Sequence, residues 1–103
     1  MMEDWHKVCE LEEIPRLGAR VVKGNSCDIA LFRDAGDKIY ALHDRCPHKG
    51  GPLSQGIVSN GRVVCPLHGM TIDLEDGKAV SPDEGCAERF RVKIDQGTVY
   101  LLL

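Results

Sequence analysis

The sequence predicts an all-β fold, an antiparallel β-sandwich or small barrel. Short apolar stretches rich in Val, Ile, Leu, Tyr and Phe recur along the chain, some alternating with polar residues. Gly-, Asn- and Asp-containing turn signals separate them at short intervals. No window of helical period runs far enough to demand a long helix.

Residues 5–11 mix apolar and polar side chains and predict a first strand. Residues 11–15 read as a turn, with Pro15 stopping regular structure. A short strand follows at 20–23, ended by Gly24 and Asn25. The clearest hairpin pairs 28–33 with 38–42 around Asp34-Ala35-Gly36-Asp37. Residues 56–58 and 62–64 flank Ser59-Asn60-Gly61, whose Asn-Gly readily takes the positive φ of a tight turn. Residues 71–74 alternate, 75–78 turn the chain, and 81–85 form a loop. A last hairpin joins 89–94 to 98–102 through Asp95-Gln96-Gly97, and its first arm alternates charged and apolar residues as a half-buried strand does.

At 103 residues the chain predicts one domain, residues 1–103, large enough for a moderate core. A formal charge of −3 argues against nucleic-acid binding. The N-terminus is charged from Glu3 onward, with no apolar signal core, and no run approaches a membrane span, so a cytoplasmic location is expected with no membrane partner. Five cysteines in a reducing compartment do not predict a disulfide framework. Cys9, Cys27 and Cys86 read as small buried hydrophobes.

The chemistry concentrates in Cys46-Pro47-His48 and Cys65-Pro66-Leu67-His68. Two thiolates and two imidazoles from two loops describe a metal site, with Cys46, His48, Cys65 and His68 as ligands. A structural zinc is satisfied by two Cys and two His. Its usual spacings pair Cys with Cys and His with His, whereas here each loop carries one of each. That interleaving suits a cluster with two distinct ends, a [2Fe–2S] centre with Cys on one iron and His on the other.

Cys46-Pro47-His48-Lys49-Gly50-Gly51-Pro52-Leu53 and Cys65-Pro66-Leu67-His68-Gly69 resemble the paired cluster loops of Rieske proteins. The resemblance implies a small cluster-binding subdomain, about residues 44–70, inserted in a larger β domain. It implies that Gly50, Gly51 and Gly69 bring backbone N–H groups toward the cluster, and that Pro47, Pro52 and Pro66 stiffen the loops. High-potential relatives carry hydroxyl side chains two and four positions after the second His. Met70 and Ile72 stand there instead, so a potential near the low end of the Rieske range is expected, about −150 mV.

Further stretches are similar to the small subunit of assimilatory NAD(P)H-dependent nitrite reductase: Trp5-His6-Lys7-Val8-Cys9, Ile29-Ala30-Leu31-Phe32-Arg33, Asp44 through Gly56, and Gly77-Lys78-Ala79-Val80 with Pro82-Asp83-Glu84-Gly85-Cys86. Met70 departs from that pattern, where an aromatic residue is frequent. This resemblance implies a large partner subunit containing flavin, sirohaem and iron–sulfur, which reduces nitrite to ammonium in nitrate assimilation. The cluster loops fit a free Rieske ferredoxin serving a ring-hydroxylating dioxygenase equally well, and a structural zinc module is the third reading. No nucleophile–base pair, phosphate loop or dinucleotide fingerprint accompanies the site, so the chain reads as an electron carrier without catalytic residues of its own. Other residues have ordinary expectations: His43 and His6 not ligands, Lys49 and Lys78 solvated, Trp5 in the core, and Met70 over the cluster or in the core.

Overall fold

A computed structural model describes residues 5–24, 27–47, 51–66, 69–80 and 85–102, and among them ten antiparallel strands form three sheets. The strands are β1 (Trp5–Glu10), β2 (Gly18–Lys23), β3 (Asp28–Arg33), β4 (Ile39–His43), β5 (Ile57–Ser59), β6 (Arg62–Val64), β7 (Thr71–Asp73), β8 (Arg89–Phe90), β9 (Val92–Asp95) and β10 (Thr98–Leu102). A terminal sheet has the order β1-β10-β9, a central sheet β2-β3-β4-β8, and a small sheet β5-β6-β7. The all-β expectation holds.

The central sheet is covered on both faces, which explains why β3 reads as a continuous apolar run. Its alternate residues feed two cores. Ile29 and Leu31 join Ile39, Ala41, Val99 and Leu101 on the side of the terminal sheet. Ala30 and Phe32 join Leu42, Val58, Val63 and Ile72 on the side of the small sheet. That second core also contains Cys46 and Cys65, so the packing that stabilises the sandwich also places both thiols.

Local chemistry sets the hairpins. Asn60 (φ 52°) and Gly61 (φ 74°) make the tight β5–β6 turn expected of Asn-Gly, and Gln96 (φ 51°) and Gly97 (φ 80°) make the corresponding β9–β10 turn. The β3–β4 turn closes on Asp34, whose carboxylate accepts from the N–H groups of Gly36 (2.9 Å) and Lys38 (2.8 Å).

Four expectations need correction. Residues 89–94 are two strands in different sheets, with β8 pairing β4 and β9 pairing β10. Nothing at Arg91 breaks the alternation, so the change of partner leaves no local trace. Residues Leu11–Glu13 form a 3₁₀ turn rather than a plain one, with the Glu10 N–H donating to the Glu13 carboxylate at 2.8 Å. Trp5 is half-buried, with the Lys93 ammonium 4.8 Å from its ring centroid, and does not belong to either core. Cys86 is exposed and Cys27 half-buried, so only Cys9 of the three is a core thiol. Most of the expected 81–85 loop lies outside the described residues.

Arg33 is a buried charge that periodicity alone does not reveal. Its guanidinium donates to the carbonyls of Ile14 (2.9 Å) and Leu11 (3.3 Å) and to the Asp37 carboxylate (2.9 Å). These bonds tie the β3–β4 hairpin to the segment that leaves β1.

Candidate metal centre

Cys46 follows β4 and Cys65 follows β6, so each thiol sits just past a strand end on a rigid sheet. Both are buried, at 2% and 1% exposure, within one apolar core. The two loops close in the same way. The Cys46 N–H donates to the Gly51 carbonyl and the Cys65 N–H to the Met70 carbonyl, each at 2.7 Å and each spanning five residues. A further bond runs from the Gly69 N–H to the Cys65 carbonyl at 3.0 Å. Gly69 (φ 70°) takes the left-handed conformation that this tight return demands.

The first loop is also fastened at its base. The Asp44 N–H donates to the Asp28 carbonyl (2.9 Å) and the His43 N–H to that of Glu88 (2.7 Å). The Asp44 carboxylate accepts from the Ser54 N–H and hydroxyl, at the start of the 3₁₀ turn Leu53–Gln55. Gly56 ends that turn and lies against the carbonyl of Val64, the residue before Cys65. A chain of close backbone contacts thus links the first loop to the second. The residue types at 44, 54 and 56 offered no metal-ligand signal, although Asp44, Ser54 and Gly56 fall within the stretch matched to the nitrite reductase subunits.

His48 and His68 lie outside the described residues, as do Lys49, Gly50 and Leu67. Among the described residues, no three His, Cys, Asp or Glu side chains gather as a metal set. His6 is exposed, His43 is half-buried at the end of β4, and Lys78 is exposed. Met70 is buried in the core that holds both cysteines, and Ile72 is fully buried beside it. Gly85 is exposed and lies against the first loop, where a Cβ on it would come 3.2 Å from Pro47 Cβ.

The described part of the site fits a thiolate-held metal. A buried thiolate is stable only beside positive charge, which a metal supplies, and iron–sulfur clusters are held by cysteine thiolates. Cys9, also buried, has its thiol pushed up by desolvation, as an inert core thiol does.

Comparison with known proteins agrees with this geometry. The family model for the Rieske [2Fe-2S] domain matches residues 4–91. A 4beta-methylsterol monooxygenase from Methylococcus capsulatus is 56% identical over 46 residues, 45% of this chain, and the match spans only 12% of that protein. The ferredoxin subunit of a 3-phenylpropionate/cinnamic acid dioxygenase from Photorhabdus laumondii is 38% identical over 96 residues, covering 91% of this chain and 90% of its own. A solved structure assigned as an NADPH nitrite reductase small subunit superposes with TM-score 0.87 at 28% identity, covering 96% of this chain and 98% of that one.

Proposed function

Since the chain belongs to the Rieske [2Fe-2S] domain family, an electron-transfer family whose cofactor is a [2Fe–2S] cluster, we propose that it is the small subunit of an assimilatory NAD(P)H nitrite reductase. In this reading Cys46 and Cys65 hold one iron, and His48 and His68 hold the other. When bound, the cluster supplies one reversible electron. Residues 44–70 form the cluster-holding unit and the rest of the single domain is its scaffold.

The observation that carries the reading is the contact of Gly85 with the first cluster loop. The stretch that resembles nitrite reductase small subunits ends in Gly85-Cys86, and Gly85 lies against Pro47 of the first cluster loop. The described end of that stretch therefore borders the first cluster loop. The full-length similarity to a nitrite reductase small-subunit structure supports the same assignment. The partner is a large subunit with flavin, sirohaem and iron–sulfur, in the cytoplasm. Among the described residues no helix is long and apolar enough to cross a membrane.

A second reading is favoured by several comparisons with ferredoxin subunits of dioxygenases, among them the 38% identity along nearly the whole of both chains. In that case the chain is a free ferredoxin for a ring-hydroxylating oxygenase. Reconstitution decides between them. The holoprotein added to the large nitrite reductase subunit should raise NAD(P)H-dependent nitrite reduction. An unchanged rate, together with electron delivery to an oxygenase, overturns the first reading.

A further inference from the structure

The central and terminal sheets part along one line, and the opening between them is a groove of about 520 Å³. It begins where β8 stops. Ala41 and Leu42 of β4 pair with Phe90 and Arg89, but beyond Phe90 the chain leaves β4 to join the terminal sheet as β9. Two strand edges are left facing the gap. The bond from the Asp34 N–H to the Lys38 carbonyl makes Arg33–Ile39 a non-hydrogen-bonded pair, so Ile39 turns its N–H and C=O away from β3. The bond from the Leu102 N–H to the Arg91 carbonyl sets the same alternation in β9, so Val92 and Ile94 turn theirs away from β10. β9 is the last strand of its sheet among the described residues.

The floor of the groove is apolar, formed by Ile39, Ala41 and Leu74, with Trp5 and Tyr40 also lining it. Among the described residues that line it, Lys38, Arg89 and Lys93 stand with one carboxylate, Glu75, on a chain whose net charge is −3. Glu75 pairs with Lys38 at 3.1 Å, and Lys93 lies over the rings of Trp5 and Tyr100. The first cluster loop starts at the other end of β4, so an occupant of the groove leaves the cluster surface open.

We propose that this groove docks an extended acidic segment of a partner polypeptide, added as a strand to the free edge of β9. Backbone pairing with Val92 and Ile94 fixes its register, alternate apolar side chains cover the floor, and acidic side chains meet the rim. The partner is thereby held at one end of the domain while electrons pass at the other. This inference goes beyond the assignment of the redox partner and does not depend on it, because docking is measured without electron transfer.

The test uses the full holoprotein and a nine-residue synthetic peptide that alternates glutamate with valine. Trp5 is the sole tryptophan and lines the groove, so its emission reports occupancy directly. Saturable binding is expected, with amide shifts at Val92 and Ile94. The double variant Arg89→Glu/Lys93→Glu should bind about tenfold more weakly, and the neutral pair Arg89→Gln/Lys93→Gln by an intermediate amount. Arg89 donates to the Glu75 carbonyl (2.8 Å) and Lys93 lies over Trp5 and Tyr100, so both variants should melt somewhat below the parent and remain folded at the binding temperature. Methylating the peptide's backbone nitrogens on the pairing edge should abolish binding while leaving its charge intact. The proposal is overturned by absence of saturable binding at millimolar peptide, or by equal binding of the N-methylated peptide. Equal binding of a lysine–valine peptide, or of a single-stranded oligonucleotide of matched charge, overturns it too.

Discussion

The Asp44 carboxylate accepts two hydrogen bonds from Ser54, one from its N–H at 2.7 Å and one from its hydroxyl at 2.9 Å. This pair closes the base of the loop that carries Cys46, two residues further on. Ser54→Ala removes the hydroxyl bond alone and should cost about 1 kcal/mol in denaturant unfolding. Asp44→Ala leaves the Ser54 N–H without its acceptor and should cost about 2 kcal/mol. Because the clamp lies beside the proposed ligand Cys46, Asp44→Ala should also bleach faster in the visible range under chelator than Ser54→Ala. Equal bleaching rates for both variants and the parent would show that the clamp does not position the loop.

Two glycines near the second thiol separate close approach from backbone conformation. A Cβ on Gly56 would collide with the Val64 carbonyl oxygen and come 2.9 Å from Val63 Cγ2, both on the strand that delivers Cys65. Gly56→Ala should therefore destabilise by about 3 kcal/mol and lower the iron content of the purified protein. Gly69 has open space around its Cβ position and only a positive φ to maintain, so Gly69→Ala should cost about 1 kcal/mol. Calorimetric melts of the two variants rank them.

The cysteines outside the site should differ in reactivity. Cys86 is exposed, whereas Cys9 is buried and its thiol is pushed up by desolvation, which lowers the thiolate fraction. Iodoacetamide on the native holoprotein should label Cys86 first and leave Cys9 unmodified until unfolding. Mass spectrometry of timed digests gives the order. Cys86→Ser should leave the visible spectrum unchanged, because that thiol is not one of the proposed ligands.

The outline of the fold was legible wherever local chemistry acts locally. Alternation marked the strands, Asn60-Gly61 and Gln96-Gly97 marked their tight turns, and Cys46 and Cys65, singled out by residue type and spacing, share one core. What escaped depends on partners distant in sequence. Arg91 changes sheets without a Gly or Pro to signal it, because the change reflects whether β4 or β10 lies alongside. Trp5 looked like core by its hydrophobicity, yet it sits at the sheet junction where Lys93 covers it. Arg33 ends a predicted strand, and the carbonyls of Leu11 and Ile14 together with the Asp37 carboxylate explain its burial. The placement of His48 and His68 lies outside the described residues.

Asp37 should give the protein an acid-sensitive component of stability. The hydrogen bond from Arg33 is the largest effect on its carboxyl; with help from Arg16 it outweighs the opposing desolvation and holds the group below the usual range. A depressed carboxyl favours the folded state wherever it is ionised. Its contribution is complete above the ordinary carboxylate pKa and disappears as pH falls through the lower folded value, below about pH 4. Asp37→Asn keeps a residue type that tolerates the φ of 66° at this position. The variant should be less stable at neutral pH and should lose less stability between pH 4 and pH 2 (about the span of carboxylate titration). Parallel acid limbs for variant and parent would contradict the ion pair's role.

The same core sets an expectation for the cluster's potential. Met70 and Ile72 are 6% and 0% exposed in the apolar group that contains Cys46 and Cys65, and neither side chain has an O–H or N–H to donate. Reduction adds negative charge to the cluster, and hydrogen bonds to its sulfurs favour that charge. Two apolar residues at these positions therefore leave the reduced state less stabilised, and the midpoint should fall near the low end of the Rieske range, about −150 mV rather than +300 mV. Potentiometric titration followed at visible wavelengths measures it. Met70→Ser should raise the midpoint, because a hydroxyl there restores a donor, while Met70→Leu should leave it unchanged. A strongly positive midpoint in the parent, or equal values for the serine and leucine variants, would remove this control of potential from the positions after His68.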